Sequence, residues 1–315
     1  MFSVIIPLFN KTAFVKRAID SVLAQTFQDF EVIVVDDGST DGGGNFVQEI
    51  YGNQVKLIKQ GNAGVSVARN TGISHSSYPY IAFLDADDYW SPYFLEKNWK
   101  IITGDGKVKI IGSHYSSTVS DLEMNLSPLK FYLIEKYFRY AINNYLFLTS
   151  ATVVKRDCLL KTPGFNPKLR SGEDLDIWFR INLQDGNAYY IENTLVYYSS
   201  EDIGRLSILG VPFEQTFIFN LNEFLASVQI EEPGKQKEFD QFIDKLIYES
   251  LRTRYFMPES HEASKEIFNL KKESYFFAAL YYKLPFKLGN IIVSNAIYNL
   301  YIRKYFKFLF KVVYN

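Results

Sequence analysis

Four short apolar runs, spaced by helical patterns, leave few folds open to the N-terminal half of this chain. They are Ser3-Val4-Ile5-Ile6-Pro7, Glu31-Val32-Ile33-Val34-Val35, Val55-Lys56-Leu57-Ile58 and Tyr80-Ile81-Ala82-Phe83-Leu84. Each is nearly all apolar, the pattern of a strand buried on both faces. Between the first two, Phe14, Val15, Ala18, Ile19, Val22 and Leu23 recur at helical spacing and predict a helix over residues 11–25. A small-residue helix is predicted over 64–73. Strands alternating with helices indicate an α/β protein whose mainly parallel sheet is covered on both faces. Further strands are expected at 108–112, 149–154 and 188–198, and helices over 129–143 and from Ser171 to Arg180. Beyond Arg205 long helical patterns take over, broken near Pro233-Gly234, Pro258 and Pro285. Two regions follow: an α/β region over 1–205 and a helical region over 206–315.

In such sheets ligands gather at the carboxyl ends of the strands. Pro7-Leu8-Phe9-Asn10, Asp36-Asp37-Gly38-Ser39 and Asp85-Ala86-Asp87-Asp88 all fall there. Carboxylates crowded at the end of a buried strand repel one another and resist desolvation. A divalent metal carrying a diphosphate is a natural compensating charge. Taken singly, each segment has a plainer reading. Asp-x-Asp occurs in solvated turns, Asp36 to Gly38 is itself a turn pattern, and Ser171-x-x-Asp174 resembles a capping box. Their convergence on three strand ends is the specific signal.

In chain order, Val4-Ile5-Ile6-Pro7, Val35-Asp36-Asp37-Gly38-Ser39-Thr40-Asp41, Gly61-Asn62-Ala63-Gly64, Ala68-Arg69-Asn70-Thr71-Gly72, Asp85-Ala86-Asp87-Asp88 and Glu173-Asp174 closely resemble the family 2 glycosyltransferases. The resemblance implies the Rossmann-like GT-A fold, with a mixed, mainly parallel sheet, and an inverting, metal-dependent transfer from a nucleotide sugar. It sets Pro7 and Phe9 against the nucleoside, and Asp37, with Asp36 as the alternative, as acceptor for the uracil imide. Asn62, Gly64 and Arg69 form the next binding segment, Arg69 meeting either the diphosphate or the acidic cluster. Asp85 and Ala86 lie towards the ribose, and Asp87, with Asp85, holds Mn²⁺ or Mg²⁺. Glu173-Asp174 matches the base motif, Asp174 taking the acceptor's proton. One departure stands out: family members often carry Arg-x-His after the strand that here ends Val196-Tyr197-Tyr198. This chain reads Ser199-Ser200-Glu201-Asp202-Ile203-Gly204-Arg205 instead. Glu201, Asp202 or water is left to complete the metal's shell.

The implied reaction moves a sugar, most simply from a UDP donor, to a glycan or lipid-linked acceptor in cell-surface polysaccharide synthesis. A sugar-phosphate nucleotidyltransferase would need a glycine-rich, Arg-containing loop after the first strand, and Pro7-Leu8-Phe9-Asn10-Lys11 has no glycine. A non-catalytic nucleotide-sugar-binding scaffold at a membrane would have no need of the acids retained here.

Charge adds two expectations. The net charge of −1 argues against nucleic acid as a partner. From Lys271 onward eight Lys or Arg face one acid, Glu273, giving that tail +7. Over 291–313, Arg303, Lys304, Lys307 and Lys311 share one helical arc, with Tyr305, Phe308, Leu309, Val312 and Val313 opposite. Such a helix either lies in a membrane interface or packs on the rest of the protein. The lone Cys158 excludes an internal disulfide. With neither a signal-peptide pattern nor an apolar run of ~20 residues, a cytoplasmic protein is expected, peripheral on the membrane at most.

Overall fold

The computed structural model describes residues 1–141, 146–199, 201, 211–230 and 232–314. The chain divides into two compact units, residues 1–135 with 146–210, and residues 136–145 with 211–315. The boundary expected between 205 and 206 lies outside the described residues.

The first unit is built on one sheet of β1 (Phe2–Leu8), β2 (Phe30–Asp37), β3 (Lys56–Gln60), β4 (Tyr80–Phe83), β5 (Tyr89–Trp90), β6 (Val108–Ser116), β7 (Phe131–Leu133), β8 (Thr152–Lys155) and β9 (Asn187–Tyr197). Its helices are α1 (Thr12–Leu23), α2 (Gly43–Tyr51), α3 (Val65–Ser74) and α4 (Phe94–Gly104); α5 (Tyr137–Ala141) belongs to the second unit, and α6 (Arg156–Leu160) and α7 (Glu173–Leu183) return to the first. Strand order is β3-β2-β1-β4-β8-β6-β9-β5, with β7 added on β9. The sheet is mixed. β1 to β4 pair in parallel, whereas β8 runs antiparallel to β4 and β6, and β6 and β9 are parallel.

The apolar runs end up where their composition puts them. Side chains alternate across a strand, so Val4, Ile6, Val32 and Val34 pack with Val15, Ala18, Ile19 and Val22 of α1. Ile33 and Val35 face the other way, against Ala68 of α3. The α3 helix comes close: a Cβ on Gly72 would sit 2.4 Å from Ile5 Cγ2. Gly72→Ala should therefore overpack this contact and destabilise the unit by about 1–3 kcal/mol, read as a shift in urea midpoint at unchanged slope.

Two expected elements are different. Of the strand expected over 149–154, Thr149–Ala151 is a 3-10 turn and β8 begins only at Thr152. The helix expected over 129–143 is divided. Phe131–Leu133 is strand β7, paired antiparallel with β9, and helix begins only at Tyr137. The partner strand decides: Phe131, Tyr132 and Leu133 line up with Ile191, Tyr190 and Tyr189, and cross-strand aromatic pairing outweighs a local helical pattern.

In the second unit the helices are α8 (Leu221–Ser227), α9 (Pro233–Arg254), α10 (His261–Phe268), α11 (Phe276–Tyr282), α12 (Phe286–Ser294) and α13 (Ala296–Phe308), the last continued by a π-helical turn, Leu309–Val313. Their core is aromatic: Tyr248 of α9 meets Phe268, Tyr275, Tyr282 and Phe310. The buried Asp244 accepts from the Lys272 and Glu273 N–H groups, both at 2.8 Å, and so fixes the turn before α11. The expected apolar side of α13 is split. Leu309 is buried, with Phe306 and Phe310, whereas Tyr305, Phe308, Val312 and Val313 are exposed. Among the described residues no helix is long and apolar enough to cross a membrane.

Candidate active site

The ends of β1, β2 and β4 carry the polar groups, and each is held by backbone hydrogen bonds that crossing loops supply. At the end of β1, Asn10 adopts φ 51°, which an Asn tolerates better than most residues. Its N–H donates to Ser39 Oγ at 3.1 Å, and its Oδ1 accepts from the Thr40 N–H at 2.8 Å. That latch leaves Phe9 42% exposed beside it. Pro7 is buried within β1 opposite Val35, which leaves Phe9 as the exposed member of the pair.

Asp36 and Asp37 end β2 on opposite faces. Asp36 accepts from the Ser39 N–H at 2.9 Å. Asp37 Oδ1 accepts from Gln60 Nε2 at 2.7 Å and the Ala63 N–H at 2.9 Å, and Oδ2 from the Gly64 N–H at 2.8 Å. Asp37 thus anchors the turn that carries Asn62 and Gly64, which are both exposed. A carboxylate has about four acceptor positions, so one remains for a ligand N–H. Gly38, at φ +75°, lets the two loops meet, since a Cβ there would lie 2.8 Å from the Asn62 nitrogen.

At the end of β4 the acids separate by environment. Asp85 has a third of its side chain exposed, Asp87 is mostly buried, and Asp88 is buried. Ala86 is buried in the core, so only its backbone can meet a ligand. Asp88 Oδ1 accepts from the Ser199 N–H at 2.9 Å, and Oδ2 from Ser150 Oγ. Burial first, and then the neighbouring Asp85 charge, push its carboxyl up to about 8. Ser150 Oγ also accepts from the Asp85 N–H at 3.1 Å, tying the two ends of the acidic turn together.

Cations bind the rest. The Arg69 guanidinium, its side chain 4% exposed, reaches Asp85 Oδ1 at 2.8 Å and Glu173 Oε1 at 3.1 Å, and stacks over Phe165 at 5.2 Å. Burial works against its charge, but the two carboxylates outweigh burial and hold it protonated. Arg69 therefore brings the acidic turn and the start of α7 together. Replacing it by Leu would strand two carboxylates. We expect a loss near the lower end of the ~3–5 kcal/mol typical of a broken buried pair, since Asp85 is 33% exposed; chemical denaturation measures it.

The α7 helix opens at Gly172, φ 79°, with no side-chain cap. The capping-box reading of Ser171 and Asp174 therefore fails. Among the described residues, Asp174 Oδ1 accepts from the Leu175 N–H at 2.8 Å. Burial, reinforced by Glu173 and opposed by Arg69, raises its carboxyl to about 7. A carboxylate with that affinity for protons is suited to general-base work near neutrality.

Three positioning groups had no place in the sequence reading. Lys11 Nζ lies 2.9 Å from Asp87 Oδ2. Arg17 Nη2 donates to the Asp87 carbonyl at 2.7 Å, while Nη1 pairs with Glu201 at 3.0 Å. Its guanidinium also lies over Tyr89 and Tyr197, which stack on each other at 4.6 Å. Ser150 is the third. Nothing in the spacing of Lys11 or Arg17 singles either out, and nothing in a serine 65 residues from Asp85 signals a contact.

The donor set suits a hard divalent cation. Asp85 and Asp87 supply carboxylate oxygens, and Mg²⁺ ordinarily takes one or two of these, with phosphates and water completing its shell. Among the described residues no group of three or more His, Cys, Asp or Glu surrounds a metal position; a cation held by Asp85 and Asp87 would take its other ligands from phosphate oxygens and water. Glu201, a candidate third ligand, is engaged by Arg17; Asp202 lies outside the described residues.

The sequence matches the profile of glycosyl transferase family 2 over residues 3–161, half of the chain. The glycosyltransferase GlyA of Streptococcus pneumoniae is 35% identical over 121 residues, 38% of this chain and 17% of GlyA. The uncharacterized glycosyltransferase EpsJ of Bacillus subtilis is 38% identical over 130 residues, 41% of this chain and 38% of EpsJ. The chain thus spans well under half the length of these curated relatives. Among solved structures, S. aureus TarS 1-349 in complex with UDP-GlcNAc superposes with a TM-score of 0.69 at 17% identity, covering 96% of this chain and 92% of that one. The mannosyltransferase PcManGT of Pyrobaculum calidifontis, in complex with GDP-Man and Mn²⁺, gives 0.57 at 16% identity, covering 99% and 86%. At these identities the likeness is one of fold.

Proposed function

The chain belongs to glycosyl transferase family 2, has the GT-A fold, and from that premise we propose that it is an inverting, metal-dependent glycosyltransferase. Its donor is a nucleotide diphosphate sugar, UDP favoured, and its acceptor a hydroxyl of a glycan or lipid-linked glycan in polysaccharide synthesis on the cytoplasmic side. Residues 1–205 bind the donor and carry the chemistry; residues 206–315 form a helical region that binds the acceptor or associates with the membrane. The observation that carries this reading is the Arg69 bridge, which sets the acidic turn for the diphosphate beside the helix that bears Asp174.

The nucleobase rests on exposed Phe9, its imide N–H directed to the remaining acceptor site of Asp37. Asp87, with Asp85, holds Mn²⁺ or Mg²⁺, which when bound neutralises charge on the departing diphosphate. Lys11, already at Asp87, adds positive charge on the same side. Asp174 accepts the acceptor hydroxyl's proton as that oxygen attacks the anomeric carbon from the face opposite the leaving group. The sugar passes through an oxocarbenium-like state. The complexes of TarS with UDP-GlcNAc and of PcManGT with GDP-Man support the donor class, and the second supports the metal.

The test is a panel of nucleotide sugars assayed for hydrolysis with and without Mn²⁺. Metal-dependent release of nucleotide diphosphate from one of them supports the proposal. Tight donor binding with no turnover under any condition, acceptor included, leaves a binding scaffold instead.

A further inference from the structure

The helical unit presents a face that its own packing does not use. In α13, Phe306 is buried against Tyr281 and Tyr282. On the opposite side Ile297, Tyr301, Lys304 and Phe308 recur four, three and four residues apart, which makes one helical stripe. The three apolar members are 65%, 64% and 54% exposed. The stripe continues sideways, because Tyr305 OH donates to the Phe277 carbonyl at 2.9 Å, which brings exposed Phe276 and Phe277 of α11 alongside. Apolar surface of this extent marks an interaction site.

Charge identifies the partner. From residue 274 to the end there are six Lys or Arg and no Asp or Glu. Arg303, Lys304, Lys307 and Lys311 are all exposed along the same helix and its π-helical turn. Glu249 of α9 lies within electrostatic reach of Arg303 and Lys307 and offsets them in part. A second copy of this face would set cations against cations, so self-association is disfavoured. An anionic surface that also admits apolar side chains satisfies both features.

We propose that this face docks on an anionic lipid bilayer, with Ile297, Tyr301 and Phe308 entering the interfacial layer and Lys304 and Lys311 meeting the headgroups. The inference rests on the helical unit alone and is independent of the transfer reaction.

The test is sedimentation of the full chain with vesicles of equal parts phosphatidylglycerol and phosphatidylcholine, against vesicles of phosphatidylcholine only. The chain should bind the anionic vesicles at low salt and leave them as the screening length falls to about 3 Å at 1 M salt. Lys304→Gln and Lys311→Gln should each weaken partition about fivefold, the equivalent of ~1 kcal/mol per cation. Tyr301→Ser combined with Phe308→Ser should weaken it further at an unchanged melting temperature, because both side chains are exposed. If the double variant misfolds, the two Lys variants decide alone. The proposal fails if the chain ignores anionic vesicles at low salt, or binds neutral ones equally. It also fails if the chain dimerises through this face and leaves the vesicles unbound.

Discussion

Asp174→Asn should bind nucleotide diphosphate as the unaltered chain does, yet lose about two to four orders of magnitude in transfer rate, the usual contribution of a general base. Asn has nearly the same shape and keeps an oxygen for the Leu175 N–H, so the helix start survives. Only the proton acceptor is removed. The pH profile separates this from a structural effect. In the unaltered chain transfer should fall tenfold per unit as pH drops below about 7, where burial and Glu173 have placed the Asp174 carboxyl; in the variant that limb should be flat.

Stability should move the other way. A carboxyl whose affinity for protons is raised by folding stabilises the folded state at low pH. That contribution is lost as pH rises from the ordinary carboxylate value through about 7. The Asn variant never ionises. It should therefore match the unaltered chain at pH 4 and exceed it in melting temperature at pH 8. A variant that keeps its rate but melts earlier would make Asp174 a structural residue.

Asp87→Ala should abolish transfer and remove the gain in UDP affinity that Mn²⁺ confers, as read by calorimetry with and without the ion. The fold should hold, because Ser150, Ser199 and Arg17 tie the acidic turn through Asp88 and the backbone of the turn. Lys11 loses its 2.9 Å contact with Asp87 but keeps its positive charge beside the acidic turn. Residual metal-independent binding of UDP is therefore expected. Full activity in this variant, or undiminished activity of the unaltered chain in excess chelator, overturns the assignment of Asp87 to the metal.

These two residues show what could be read from the chain and what could not. The apolar runs before Asn10, Asp37 and Asp85 are local, and a strand buried on both faces has few alternatives once its composition is set. The sequence by itself therefore determined the four apolar strands of a mainly parallel sheet, and with them the placing of Phe9, Asp37 and Asp85 at strand ends, whereas the order β3-β2-β1-β4 came with the folded sheet. The tertiary structure decided the rest. β7 arose because a neighbouring strand offered aromatic partners to residues whose local pattern was helical. Whether Asp174 was a cap depended on Gly172 taking that position. Arg69 spans 16 residues to Asp85 and 104 to Glu173, and Arg17 spans 184 to Glu201. Contacts at such separations leave no periodicity or spacing in the chain, because they depend on which loops the finished sheet brings together, and only the folded structure specifies that.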